Sequence, residues 1–145
     1  MGDAGTSFED FVAAAQGVVE TQARRHADDR WWILEPLLIV ERESVRAIAL
    51  ADAPDALRAL RTAGPPGLPA ALGARRAAVA LHVDLALGGE VVPAVVLVVV
   101  TPLLRAVEVA PVERTDLGTP RLGEWSPSDL DEGDVAAALR RLATS

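Results

Sequence analysis

The spacing of hydrophobic positions changes several times along the chain, and each change predicts a different element. From about Ser7 to Asp28, Phe8, Phe11, Val12, Ala15, Val18, Val19 and Gln22 recur at i, i+3, i+4, i+7. That is the single stripe of an amphipathic helix, with Glu9, Asp10, Glu20 and Arg24 on the opposite side. Thr6 and Glu9 stand at capping-box spacing, so each satisfies a free amide of the first turn. Trp31 to Val40 then reads as a strand with Pro36 inside it. Proline removes a ladder donor, so this strand is expected at an edge or bulged at that point. Glu41-Arg42-Glu43-Ser44 reads as a turn, and Val45 to Leu50 as the second strand of a hairpin.

Asp52-Ala53-Pro54 opens a second helix, with proline tolerated in its first turn. Leu57 and Leu60, with Ala56 and Ala63, form its buried side, and Gly64-Pro65-Pro66-Gly67 breaks it. Pro69 to Leu72 form one further turn, closed by Gly73. From Ala77 the period becomes two. Val79, Leu81, Val83, Leu85 and Leu87 point one way, and Ala78, Ala80, His82, Asp84 and Ala86 the other. Gly88-Gly89 supplies a tight hairpin turn.

Ala94 to Thr101 is a continuous valine-rich run, the mark of a strand buried in the middle of a sheet; Pro102 stops it. Arg105 to Arg114 gives a fifth strand. Thr115 to Gly123 reads as a polar loop. Ser126-Pro127-Ser128-Asp129 then leads into a last helix, about Asp131 to Ala143. Its acidic first turn and Arg140-Arg141 at its end suit the helix dipole. The order α-β-β-α-β-β-β-α predicts an α+β fold, a mainly antiparallel five-stranded sheet with helices laid on it.

Composition narrows the functional classes. A chain of 145 residues suits one domain, 1–145, and half of its residues are hydrophobic, which excludes whole-chain disorder. With no cysteine, disulfide and thiolate–metal scaffolds are excluded. The net charge of −7 repels a phosphate backbone, so nucleic acid is not an expected partner. The Val91–Val100 run is shorter than the roughly 20 residues that span a bilayer, so no membrane association is expected. All basic residues are arginine, and the favoured residue types have codons rich in G and C, as in GC-rich bacterial genomes. Met1-Gly2-Asp3-Ala4-Gly5 has neither the basic nor the apolar region of a signal peptide, which points to the cytoplasm.

Candidate chemistry is sparse. His82 and Asp84 share one side of a strand among alanines, a pair able to supply two metal ligands, with a third from Glu35 or Glu108. The plainer alternative is that both are surface residues and the alanines mark close contact with a helix. His26 lies among charges at a helix end, where a cation is simply favourable. None of Ser7, Ser44, Ser126, Ser128 and Ser145 sits in a nucleophile elbow. Glu41, Glu43 and the Asp129–Asp134 cluster read as solvated acidic edges, and Arg75-Arg76 as a solubilising start to a strand. No phosphate cradle and no cofactor are implied. Trp31, Trp32 and Trp125 are candidate interaction residues, because tryptophan fills partner pockets; it also caps a domain's own core.

Two functions follow. The first is a non-catalytic interaction or assembly domain, self-associating or serving as a small subunit of a complex. An antiparallel sheet needs only one side covered, so apolar residues left opposite the helices would seek a partner. The alternative is a small metal-dependent hydrolase or small-ligand binder built on His82 and Asp84.

Overall fold

The computed structural model describes residues 8–25, 34–64, 67–87, 89–101, 105–114 and 120–127. They form α1 (Phe8–Arg25), β1 (Leu37–Glu41), β2 (Val45–Ala49), a short 3-10 turn (Leu50–Asp52), α2 (Pro54–Thr62) and α3 (Leu68–Ala71). β3 (Arg76–Leu87), β4 (Glu90–Val100), β5 (Arg105–Arg114), β6 (Pro120–Leu122) and β7 (Ser126–Pro127) follow. The fold is α+β, and every strand pairing is antiparallel. The sheet order is β2-β1-β3-β4-β5-β6, with β7 also on β5.

The expected count of five strands is therefore too low. The stretch read as a polar loop contains β6, and Ser126-Pro127 forms β7. Both are too short to show a period-two pattern and are held by pairing with β5. The last expected helix lies outside the described residues.

Valine-rich β4 is central, paired to β3 along its whole length and to β5 from Ala94 to Val100. Ala94 to Val100 are all buried, as a strand covered on both sides requires. β4 begins at Glu90, four residues before the expected start, and runs through Pro93. Pro93 lies one residue beyond the last pairing with β5, where β4 has a partner on one flank only. Gly89, with φ 84°, makes the β3–β4 turn that a side chain would strain.

Pro36 precedes β1 and does not interrupt it. β1 is an interior strand between β2 and β3, so the expectation of an edge or a bulge at Pro36 is corrected: the proline lies outside the strand. β2 and β3 both run antiparallel to β1, so they are parallel to each other, and the connection between them crosses β1. That connection carries α2 and α3 across one side of the sheet. Leu38, Val79, Leu81, Val96 and Val98 meet Ala56, Leu60 and Leu68 there.

On the other side Phe11, Ala15 and Val19 of α1 meet Ile39, Ala78, Ala80, Val95 and Leu97. The strict alternation of β3 thus feeds two cores, Val79 and Leu81 in one, Ala78 and Ala80 in the other. Both sides of the sheet are covered, so the idea of an apolar side left open for a partner does not hold. In α2 the buried residues are Ala56, Ala59 and Leu60, while Ala63 is exposed.

β6 and β7 together make one interrupted edge strand. Leu122 pairs with Val112, but Ser126 pairs with Val109, so three residues, 123–125, oppose two, 110–111. This is a bulge of one residue. Gly123 N donates to Pro111 O at 2.8 Å, and a Cβ on Gly123 would lie 2.8 Å from Pro111 Cγ. Only glycine permits that approach.

Candidate functional site

The cross-strand register puts His82 opposite Val95 and Asp84 opposite Pro93. His82 and Asp84 share the α1 side of β3 with Ala78 and Ala80. The two alanines are fully buried, the His82 side chain is 17% exposed and Asp84 67%. β3 thus emerges from beneath α1 along this side. The alanines are where the helix comes close, because a larger side chain would hold α1 off the sheet.

His82 Nε2 lies 3.7 Å from Asp84 Oδ1, beyond hydrogen-bond distance, and buried Nδ1 has no hydrogen-bond partner. Glu35 is exposed before the start of β1, and Glu108 is half-buried on β5 opposite Leu97 and Pro127. Among the described residues, no three of histidine, cysteine, aspartate and glutamate gather as a metal site. The pair is brought together, and neither Glu35 nor Glu108 joins it.

Trp125 is packed against the α1 core, and its Nε1 donates to Glu20 Oε1 of α1 at 3.1 Å. One tryptophan thereby ties the edge bulge to the helix, with its polar end satisfied. Trp31, Trp32 and His26 lie outside the described residues, as do Ser7, Ser128, Ser145 and the Asp129–Asp134 cluster. Ser44 and Ser126 are exposed, in a turn and in β7.

Glu41 corrects the expectation of a solvated turn. It ends β1, is 4% exposed, and is the one buried charged residue among those described. Arg76 Nη1 lies 2.7 Å from its Oε1, so Arg76 is an ion-pair partner and not a solubilising residue. A signal was present in the sequence. Glu41 continues the period-two set Leu37, Ile39, and Arg76 continues Ala78, Ala80 in the reverse direction.

The turn between β1 and β2 frames a surface recess of about 260 Å³ lined by Val40, Arg42, Glu43, Ser44 and Arg46. Arg42 donates from Nε and Nη2 to Leu72 O at 3.1 and 2.7 Å, which ties the hairpin to the end of α3. Two arginines face one glutamate there, a locally positive spot on a chain of net charge −7.

The last feature is an edge. β2 has no strand on its outer flank among the described residues. Arg46, Ala47 and Ile48 are exposed, Ile48 at 42%. Sequence reasoning found the hairpin but not its place at the rim. No helix among the described residues is long and apolar enough to cross a membrane. The chain matches no protein-family model, no curated protein and no solved structure.

Proposed function

We propose that this protein is a non-catalytic assembly domain that works by associating with itself. The observation that carries this reading is the bare outer edge of β2. Both sides of the sheet are committed to internal cores, whereas this edge, among the described residues, offers unpaired backbone groups beside exposed Ile48. An unpaired strand is a template for another chain. The described residues supply no three-ligand metal cluster.

Light scattering across a range of protein concentrations tests the reading. The expected result is a mass above the 15.2 kDa of one chain that rises with concentration. A mass of one chain at every concentration would overturn it.

The alternative, a metal-dependent hydrolase or small-ligand binder on His82 and Asp84, has one observation in its favour: the buried Nδ1 of His82 without a partner. Against it stand the 3.7 Å gap, the missing third ligand among the described residues and the helix over Ala78 and Ala80. Its test is zinc or manganese retained in stoichiometric amount after desalting, and lost in His82→Ala.

A further inference from the structure

We propose that the recess at the β1–β2 turn binds a small phosphate-bearing ligand between the guanidinium groups of Arg42 and Arg46. The proposal goes beyond the assembly reading. Every group it uses comes from one copy, so it holds whether the chain is single or associated.

Hairpin register brings the site together. Val40 and Arg46 are partners across the hairpin, so both side chains lie on the α2–α3 side of the sheet. Val40, 8% exposed, floors the recess, and Arg42, Glu43 and Ser44 of the turn line it with Arg46. Its volume of about 260 Å³ leaves room for a phosphate group and a small substituent.

Arg42 is held in place although it is exposed. Its Nε and Nη2 both donate to Leu72 O, at 3.1 and 2.7 Å. These bonds occupy one edge of the guanidinium plane. The Nη1–Nη2 end keeps donors for a bidentate contact with an oxyanion. An arginine on the surface normally loses rotamer freedom when it grips a ligand. Here the contact with the end of α3 has already removed that freedom.

The charges in the recess are unmatched. Carboxylates outnumber basic groups in this chain, 21 to 14. Yet among the described residues neither Arg42 nor Arg46 makes an ion pair, and Glu43 in the same recess pairs with neither. Arg76, by contrast, is met by Glu41. Two guanidinium groups against one carboxylate leave the recess positive, and an anion between them relieves their repulsion.

Oxygen count selects phosphate. A carboxylate has two oxygens, which one guanidinium fork satisfies, whereas a phosphate group can accept from two forks at once. Charge selects a small ligand over a polymer. At physiological salt the screening length is about 8 Å, so a small anion senses chiefly the two arginines. An extended polyanion would also meet the rest of a chain of net charge −7.

The test is titration of the full chain with inorganic phosphate and with methyl phosphate at constant ionic strength, followed by the amide resonances of residues 42–46. Those resonances should shift saturably, with half-saturation at or below about 1 mM. Arg46→Gln should weaken binding at least about fivefold, and so should Arg42→Lys, which keeps the charge but loses the fork. Glu43→Gln should tighten it, because it removes the opposing charge. Arg61→Gln removes an equal charge from an exposed position on α2 and should leave the affinity within about twofold. Equal affinity for the two probes identifies a phosphate monoester, and clearly weaker methyl phosphate identifies the free ion. Shifts that grow linearly with phosphate, that chloride reproduces, or that a folded Arg46→Gln leaves unchanged overturn the site. Should Arg46→Gln fail to fold, the opposite signs expected for Arg42→Lys and Glu43→Gln decide.

Discussion

Arg76 Nη1 and Glu41 Oε1 are 2.7 Å apart across neighbouring strands, in side chains only 15% and 5% exposed. The pair closes the α1 side of the sheet where β1 ends and β3 begins. Arg75 N also donates to Glu41 O at 2.9 Å, so main chain and side chain hold the same junction. Such a pair contributes little net stability, because desolvation offsets attraction, but either half left alone is a buried charge.

Removing one partner should therefore be worse than removing both. Glu41→Leu or Arg76→Met alone is expected to lose about 3 kcal/mol in urea unfolding, and the two together to recover most of it. Additive losses in the double-mutant cycle would show that the two groups do not compensate one another.

His82 holds a buried nitrogen with no hydrogen-bond partner. Replacing it by an apolar side chain of similar length removes an unmet desolvation penalty. His82→Leu should be neutral or stabilising by up to about 1 kcal/mol in thermal or chemical unfolding. A loss above about 2 kcal/mol would mean the nitrogen makes a bond that matters.

Trp125 reaches across to Glu20 with its indole N–H while its ring lies on the α1 core. Trp125→Phe keeps most of the apolar contact and should lose about 1 kcal/mol; Trp125→Ala should lose about 3 kcal/mol. Glu20→Gln keeps an acceptor and should change stability less than Trp125→Phe. Equal effects of the phenylalanine and alanine variants would show that the ring contact contributes nothing.

Gly123 sits where the interrupted edge strand crosses Pro111. A methyl group there would meet a proline ring that cannot swing aside and the Glu113 Oε1 at 2.9 Å. Gly123→Ala should lose about 1–3 kcal/mol and loosen the bulge, seen as faster amide exchange at Leu122 and Trp125. Unchanged exchange would mean that the edge adapts without strain.

Elements whose hydrophobic period is long enough to read were legible from the order of residues alone. The stripe of α1, the alternation of β3, the valine run of β4, the bounds of β5 and a turn before Gly73, expected over Pro69–Leu72 and found one residue earlier, all follow from spacing and turn chemistry. So did the α+β antiparallel class and the central place of β4, since a run apolar on both sides must be covered on both.

Features that depend on spatial neighbours came only with the folded chain. β6 and β7 exist only because β5 offers them a ladder. Pro36 left β1 free to be an interior strand, and the crossover from β2 to β3 put α2 and α3 on the side opposite α1. Glu41 became buried because Arg76 arrived from a strand 35 positions away to meet it. The β2 rim is likewise a property of strand order. Side-chain alternation says which residues face inward and is silent on which strand comes last, because edge and interior strands share the same local geometry and differ only in how many flanks find a partner.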